Sequence, residues 1–250
     1  MKFNIININK LDSTNSYAQR LIEQGNLHEG DVIFTLDQQN GRGQADNLWE
    51  SESGSNLLIS IILEPKLIPA SQQFILTQLI SISIVDVVKK YTQNDDIKIK
   101  WPNDIYVNNN KVAGILFQNY IKGNNIEHSI IGIGINVNQR HFYSSAPNPI
   151  SIIHYTNKQI SIDELLNKLL DNIGDNYEKL NLENGSLQFK SDYINNLYRY
   201  DMWAGYSDGN HTFIGKIIDV DDYGRLSIKM KSGSVKKFMF KEVEFVNDEV

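Results

Sequence analysis

The sequence predicts an α+β protein, a mixed and largely antiparallel sheet flanked by helices and followed by a small β module. Three observations carry this expectation. Four apolar strand patterns, at 97–101, 104–107, 111–120 and 129–137, succeed one another with no helix between them. That order favours antiparallel pairing over a doubly wound sheet. Two long stretches, 73–91 and the segment after Ser161, carry helical periodicity. Beyond Thr212 the chain breaks into short strands spaced as in a small barrel or sandwich.

The elements follow in order. Residues 3–8 alternate as a strand, and Ser13 or Thr14 can cap a helix with Tyr17, Ala18, Leu21 and Ile22 on its apolar face, ended by Gly25. Residues 32–36 and 57–63 read as strands, separated by the polar, glycine-containing segment 38–55. The stretch 73–91 makes a helix long enough to cover a sheet, although its β-branched residues are weak helix formers. Asn108 to Asn110 suit a tight hairpin turn, because Asn tolerates positive φ.

Ser161-Ile162-Asp163-Glu164 is a capping-box pattern opening a helix with Leu165, Leu166, Leu169, Leu170, Ile173 and Tyr177 on one face. A second helix is expected at 187–198, then strands at 212–220, 225–230, 236–240 and 243–246. A boundary near 199–205 divides residues 1–200 from a module of 201–250. Phe213, Ile217, Leu226, Ile228, Phe238 and Phe240 are the expected core of that module.

Composition narrows the function. A chain of 250 residues, 41% hydrophobic, suits one large domain with at most a small appendage. A net charge of −6 with interspersed signs argues against general nucleic-acid binding. Without cysteine there is no disulfide, thiol catalysis or zinc–thiolate site. The start, Met1-Lys2-Phe3-Asn4-Ile5, soon turns polar and lacks the apolar core of a signal peptide. The apolar stretch at 57–63 is too short for a bilayer, so the chain reads as a soluble cytoplasmic protein. Five scattered histidines read as surface or structural.

The richest run is Lys100 to Gln118, where a polar turn joins two strands. Lys111, at the head of the second strand, is a point charge suited to a carboxylate or phosphate, though alone it reads most simply as a solvated hairpin lysine. Gly114 removes a side chain where a ligand or another backbone could approach closely. Asp104 follows a proline-constrained corner and suits either turn capping or a chemical role. Gly41-Arg42-Gly43 is a turn on its own, yet it also offers backbone amides and a guanidinium to an anion. Ser13, Thr14 and Asn15 suit helix capping or ligand contact, Trp49 suits core packing, and Gly132 and Gly134 suit bends in a strand.

Lys-Trp-Pro-Asn-Asp, followed by Lys111-Val112-Ala113-Gly114-Ile115-Leu116, resembles the central motif of biotin protein ligases. Asp12-Ser13-Thr14-Asn15-Ser16, Gln38-Gln39-Asn40-Gly41-Arg42-Gly43-Gln44 and Gly132-Ile133-Gly134-Ile135-Asn136-Val137 fall in that family's order. The resemblance implies a biotin/lipoate ligase-like catalytic domain with a C-terminal SH3-like β-barrel. It implies ATP-dependent formation of biotinyl-5'-AMP and transfer of biotin to a lysine of a biotin carboxyl carrier protein, with Mg²⁺ on the phosphates.

Residue by residue, the resemblance assigns biotin to Ser13, Thr14, Asn15, Gln38, Gly41, Arg42, Lys111 and Gly114. It assigns the nucleotide to Arg42, Gln44, Trp49, Asn103, Lys111 and Asn136. Lys111 and Arg42 are the expected catalytic cations, and Asp104 assists the incoming amine; metal ligands are not assigned. In that family the Gly-Arg-Gly loop folds over the adenylate and excludes water. Here it continues Gln44-Ala45-Asp46-Asn47, with no third glycine or second arginine, and Gln118 stands where a glutamate is usual. Related possibilities are lipoate or octanoate ligation, and a non-catalytic biotin or nucleotide sensor. With the first motif beginning at Asp12, no DNA-binding winged helix is expected, nor a membrane partner; a monomer or weak homodimer is expected.

Overall fold

A computed structural model describes every residue except 45, 46, 67, 145, 157, 181, 183 and 247–250. Its centre is a seven-stranded sheet made of β1 (Asn4–Asn7), β2 (Asp31–Thr35), β5 (Asn56–Leu63), β6 (Ile97–Lys100), β7 (Asp104–Val107), β8 (Asn110–Lys122) and β9 (Asn125–Asn136). The strand order is β1-β2-β5-β9-β8-β7-β6. Only β1 and β2 run parallel; every other pairing in this sheet is antiparallel. The sheet is therefore mixed and mostly antiparallel, as the succession of strand patterns requires.

Alternation in the strands sorts their side chains onto two faces. Ile131, Ile133 and Ile135 of β9 join one core cluster with Ile59 and Ile61 of β5 and the helices α2 (Phe74–Thr92) and α4 (Ile162–Leu180). Helix α5 (Gly185–Asn195) packs against α2 on the same side. By length and composition, residues 70–92 match a membrane span, yet 72% of that window is buried inside the protein. That burial is what a helix apolar nearly all round needs in a folded core. The opposite face carries Ile33, Ile62 and Ile130, covered by Ala18 of α1 (Thr14–Glu23). The short α3 (Ile153–Thr156), which the sequence did not reveal, follows β9.

Within the polar segment 38–55 lies a two-stranded hairpin, β3 (Gly41–Arg42) paired with β4 (Leu48–Trp49). Its turn is closed by Gly43 N donating to Asn47 O at 2.7 Å. Asp46, whose charge distinguishes this loop in sequence, lies outside the described residues, as does Ala45.

The C-terminal sheet has the order β13-β12-β11-β10-β14, all antiparallel, consistent with an SH3-like fold. Its strands are β10 (Trp203–Ser207), β11 (Thr212–Val220), β12 (Leu226–Met230), β13 (Val235–Phe238) and β14 (Glu244–Phe245). Strand β10 begins inside the stretch 199–205 where the boundary was expected, and Gly205 in its middle interrupts the alternation that would mark it as a strand. Phe240 also departs from expectation. It is 43% exposed and faces Trp101 at 6.4 Å between ring centroids, whereas Ile217, Leu226, Ile228 and Phe238 are buried. Trp101 Nε1 donates to Gly224 O at 2.9 Å, and both sheets contribute to one core cluster.

Candidate active site

A cleft of 1740 Å³ opens on the α1 side of the large sheet and is floored by β8 and β9. Its layout follows the alternation of β9. Ile130 lies under α1, and the next three positions on that face are Gly132, Gly134 and Asn136, about 7 Å apart. A Cβ on Gly132 would collide with the Asn15 carboxamide. One on Gly134 would stand 2.6 Å from Trp49 Cε2, and one on Gly114, paired with Gly134, would stand 2.9 Å from Trp49 Cζ3. These glycines are thus missing side chains that make room for Asn15 and the indole.

The Asn15 end is rigid and polar. Asn15 is 3% exposed; its Oδ1 accepts from Ser60 Oγ at 2.5 Å and its Nδ2 donates to Leu116 O at 3.3 Å. Ser13 occupies the N-cap position of α1 but makes no side-chain cap bond, contrary to the capping reading. Thr14 N–H instead donates to Gln38 Oε1 at 2.8 Å. The Gln38 amide also lies 2.6 Å from where a Cβ on Gly41 would stand, which brings the hairpin close to the helix start.

In the middle of the cleft Lys111 Nζ lies 2.6 Å from Asp104 Oδ1 and 5.5 Å from the Trp49 ring centroid. Lys111 is therefore a partnered cation and not a solvated hairpin lysine. Arg42 is exposed on β3 and Gln44 follows it; both line the cleft. Asn103 is buried and donates through Nδ2 to Ile115 O, so its amide ties the corner before β7 to β8. Further along β9, Asn136 is 3% exposed and its Oδ1 has no partner among the described residues, and the same holds for Trp49 Nε1. A buried acceptor and donor left unmatched beside one cleft are what a polar ligand would satisfy.

The cleft brings together all the expected site residues except that Gly41 sits behind Gln38 and Trp49, at the root of the hairpin. Other lining residues escaped the sequence. Lys100 stands in the Lys-Trp-Pro-Asn-Asp run but drew no role. Its Nζ donates to Tyr106 OH at 3.3 Å and lies over the Tyr106 and Phe245 rings at 5.1 and 5.4 Å. Burial pulls its ammonium below the usual lysine range and pushes the Tyr106 phenol up. The alternation of 97–100 is the only local sign that Lys100 points this way. Arg199 and Glu244 line the same end of the cleft, brought there from beyond α5.

A family profile, that of the biotin/lipoate A/B protein ligase family, matches residues 8–136. The bifunctional ligase/repressor BirA of Bacillus subtilis is 30% identical over 251 residues, covering 94% of this chain and 71% of that protein. BirA of Escherichia coli is 36% identical over 138 residues, covering 55% and 42%. Among solved structures, the biotin protein ligase from Aquifex aeolicus in complex with biotin and ATP superposes with a TM-score of 0.80 at 26% identity. That match covers 97% of this chain and 99% of the other.

Proposed function

The chain belongs to the biotin/lipoate A/B protein ligase family, and from that membership we propose that it is an ATP-dependent biotin protein ligase. In this reading it forms biotinyl-5'-AMP from biotin and ATP, then passes biotin to one lysine of a biotin carboxyl carrier protein. The observation that carries the reading is the order of groups along one face of β9. A fixed polar end at Asn15 comes first, then the Trp49–Lys111 station, then the unmatched acceptor of Asn136. An apolar tail with a polar ring at one end and a carboxylate at the other, joined to a nucleotide, requires that sequence of surroundings.

Ser13, Thr14, Asn15 and Gln38 receive the ureido ring, with Gly41 and Gly114 allowing close approach. Lys111 and Arg42 meet the biotin carboxylate as it attacks the α-phosphate of ATP and pyrophosphate leaves. Two anions repel as they meet, so positive charge where the pentavalent phosphorus forms lowers the barrier. Asn136 Oδ1 and Trp49 Nε1 take the nucleobase side, with Gln44 and Asn103 nearby. Asp104 orients the incoming amine, which attacks the acyl carbon and expels AMP; its 2.6 Å contact with Lys111 supports this role. Among the described residues no three His, Cys, Asp or Glu side chains cluster. Mg²⁺ would therefore be held chiefly by the nucleotide's phosphates, a mode that ion favours, and would offset their charge there.

The biotin reading is preferred over lipoate or octanoate ligation because the relatives and the matching solved structure are named as biotin ligases or bind biotin. We further propose that residues 201–250 form a supporting unit that closes the nucleotide end of the cleft. Incubating the protein with labelled biotin, ATP, Mg²⁺ and a biotin-acceptor domain tests the function. Label on one acceptor lysine is expected; tight biotin binding without transfer would leave a sensor in place of the ligase.

A further inference from the structure

After β9 the chain does not leave the cleft but runs around its mouth. Asn138 N donates to Ser55 O, and further on Lys111 N donates to Asn148 O while Ile150 N donates to Lys111 O. The described residues here, 138–144 and 146–150, thus belong to a strap whose far end grips the backbone of Lys111. Midway, the strap meets Glu50, the residue after Trp49. Glu50 Oε1 and Oε2 accept from Tyr143 N at 2.9 and 3.1 Å, and Oε2 accepts from Ser144 N at 2.8 Å.

The root of this contact is buried and fully wired. Gln139, 2% exposed, donates to Glu50 Oε1 at 3.3 Å and to His141 O at 2.8 Å. Its Oε1 accepts from Glu52 N at 3.0 Å and from Asn56 Nδ2 at 2.6 Å. Burial opposes ionisation of Glu50, but the bonds from Ser144, Tyr143 and Gln139 outweigh it, so its carboxyl lies below the usual glutamate range. Glu50 is an anion clasping two backbone amides, among the stronger hydrogen bonds available to a side chain.

We infer that Glu50 is a positioning residue, a clasp that fastens the hairpin carrying Arg42 and Trp49 to the strap that holds Lys111. The two cations come from different parts of the chain, and this carboxylate, backed by Gln139, joins the two pieces across the cleft mouth. Its action is indirect, since it holds the hairpin shut over the acyl adenylate. The inference rests on the ligase reading for its consequence but not for its geometry.

Two measurements on the full chain separate the two ideas. In the first, enzyme loaded with biotin and ATP is chased, and release of biotinyl adenylate is timed. Glu50→Ala should release it about tenfold faster, the order expected for losing charge-assisted bonds. Glu50→Gln, which keeps one acceptor oxygen, should fall between. Biotin affinity without nucleotide should stay within about twofold of wild type in both variants, since the Asn15 end is anchored by its own bonds. In the second, amide hydrogen exchange is followed without ligands. Tyr143, Ser144 and Gly43 should exchange faster in Glu50→Ala and the amides of β9 should not.

Unchanged release, or biotin affinity falling in step with release, would overturn the clasp. Unchanged exchange at Gly43 would overturn it too, even if the wild-type protein made no adenylate; that last result would instead refute the ligase reading.

Discussion

Trp49 packs against Gly134, so close that a methyl group at that glycine would stand 2.6 Å from the indole. Gly134→Ala should therefore lift Trp49 out of the cleft. A strand already paired on both sides by β5 and β8 cannot move aside. Overpacking of this kind costs about 1–3 kcal/mol, less where the intruded group can swing away as a hairpin residue can. Pyrophosphate exchange should fall at least tenfold with only a small drop in melting temperature. Normal exchange would mean that Trp49 has no part at this position.

Lys111→Ala should leave the fold intact and remove most adenylate formation. Its ion pair with Asp104 is partly exposed, 23% and 26% for the two side chains, so its loss should change stability by no more than about 1 kcal/mol. One well-placed cation at developing charge contributes about 10²-fold or more in rate. Biotin-dependent pyrophosphate exchange and a denaturant titration on the same preparation measure both.

Gly224→Ala tests the join between the two sheets. Gly224 has φ +84, and a Cβ there would stand 2.5 Å from Phe74 Cδ2, so the variant meets strain and overlap together. A loss of about 2–4 kcal/mol is expected from urea unfolding, because neither the left-handed backbone nor the buried ring can yield cheaply. A loss under about 0.5 kcal/mol would show that the join is soft.

Asp12 predicts a pH dependence. Hydrogen bonding to Arg20 holds its carboxyl at about 2, below the ordinary 3.8. A depressed carboxyl stabilises the folded state above its unfolded value, and that contribution fades as pH falls through the folded one. The stability difference between wild type and Arg20→Gln should thus be constant above about pH 5 and shrink from pH 4 toward 2. Since the two side chains are 41% and 51% exposed, the difference should be only roughly 0.3–1 kcal/mol. Urea midpoints of both proteins across that range measure it.

Most strands and helices were legible because their signals are local. Alternation in residues 129–137 and the capping box at Ser161, where Glu164 N donates to Ser161 Oγ at 3.3 Å, are visible within one turn of chain. Gly132, Gly134, Asn15, Lys111 and Asp104 were legible through motif order, and the sheet register then brought them to one cleft. What stayed hidden depends on pairing across long separations. The amide of Thr14 found its partner in Gln38, not in the adjacent Ser13. Glu50 reads as an ordinary charge in a polar loop, and its partner Tyr143 is 93 residues away. Lys100 was overlooked because one of the two rings it lies over, Phe245, comes from the last strand of the chain, and the other, Tyr106, reaches it only across the β6–β7 pairing.

The hydrogen bond from Trp101 to the carbonyl of Gly224 bears on how the protein melts. Trp101 is 5% exposed and Phe74 7%, and both are covered partly by the second sheet. Stripping that sheet away would wet two large aromatic rings of the core cluster the two sheets share, at a cost comparable to the small net stability of a whole domain. Heating should accordingly give a single calorimetric peak whose van't Hoff and measured enthalpies agree. The chain would then behave as one cooperative unit despite its two sheets, and a cut after Arg199 would yield a sticky, half-melted fragment in place of a smaller enzyme.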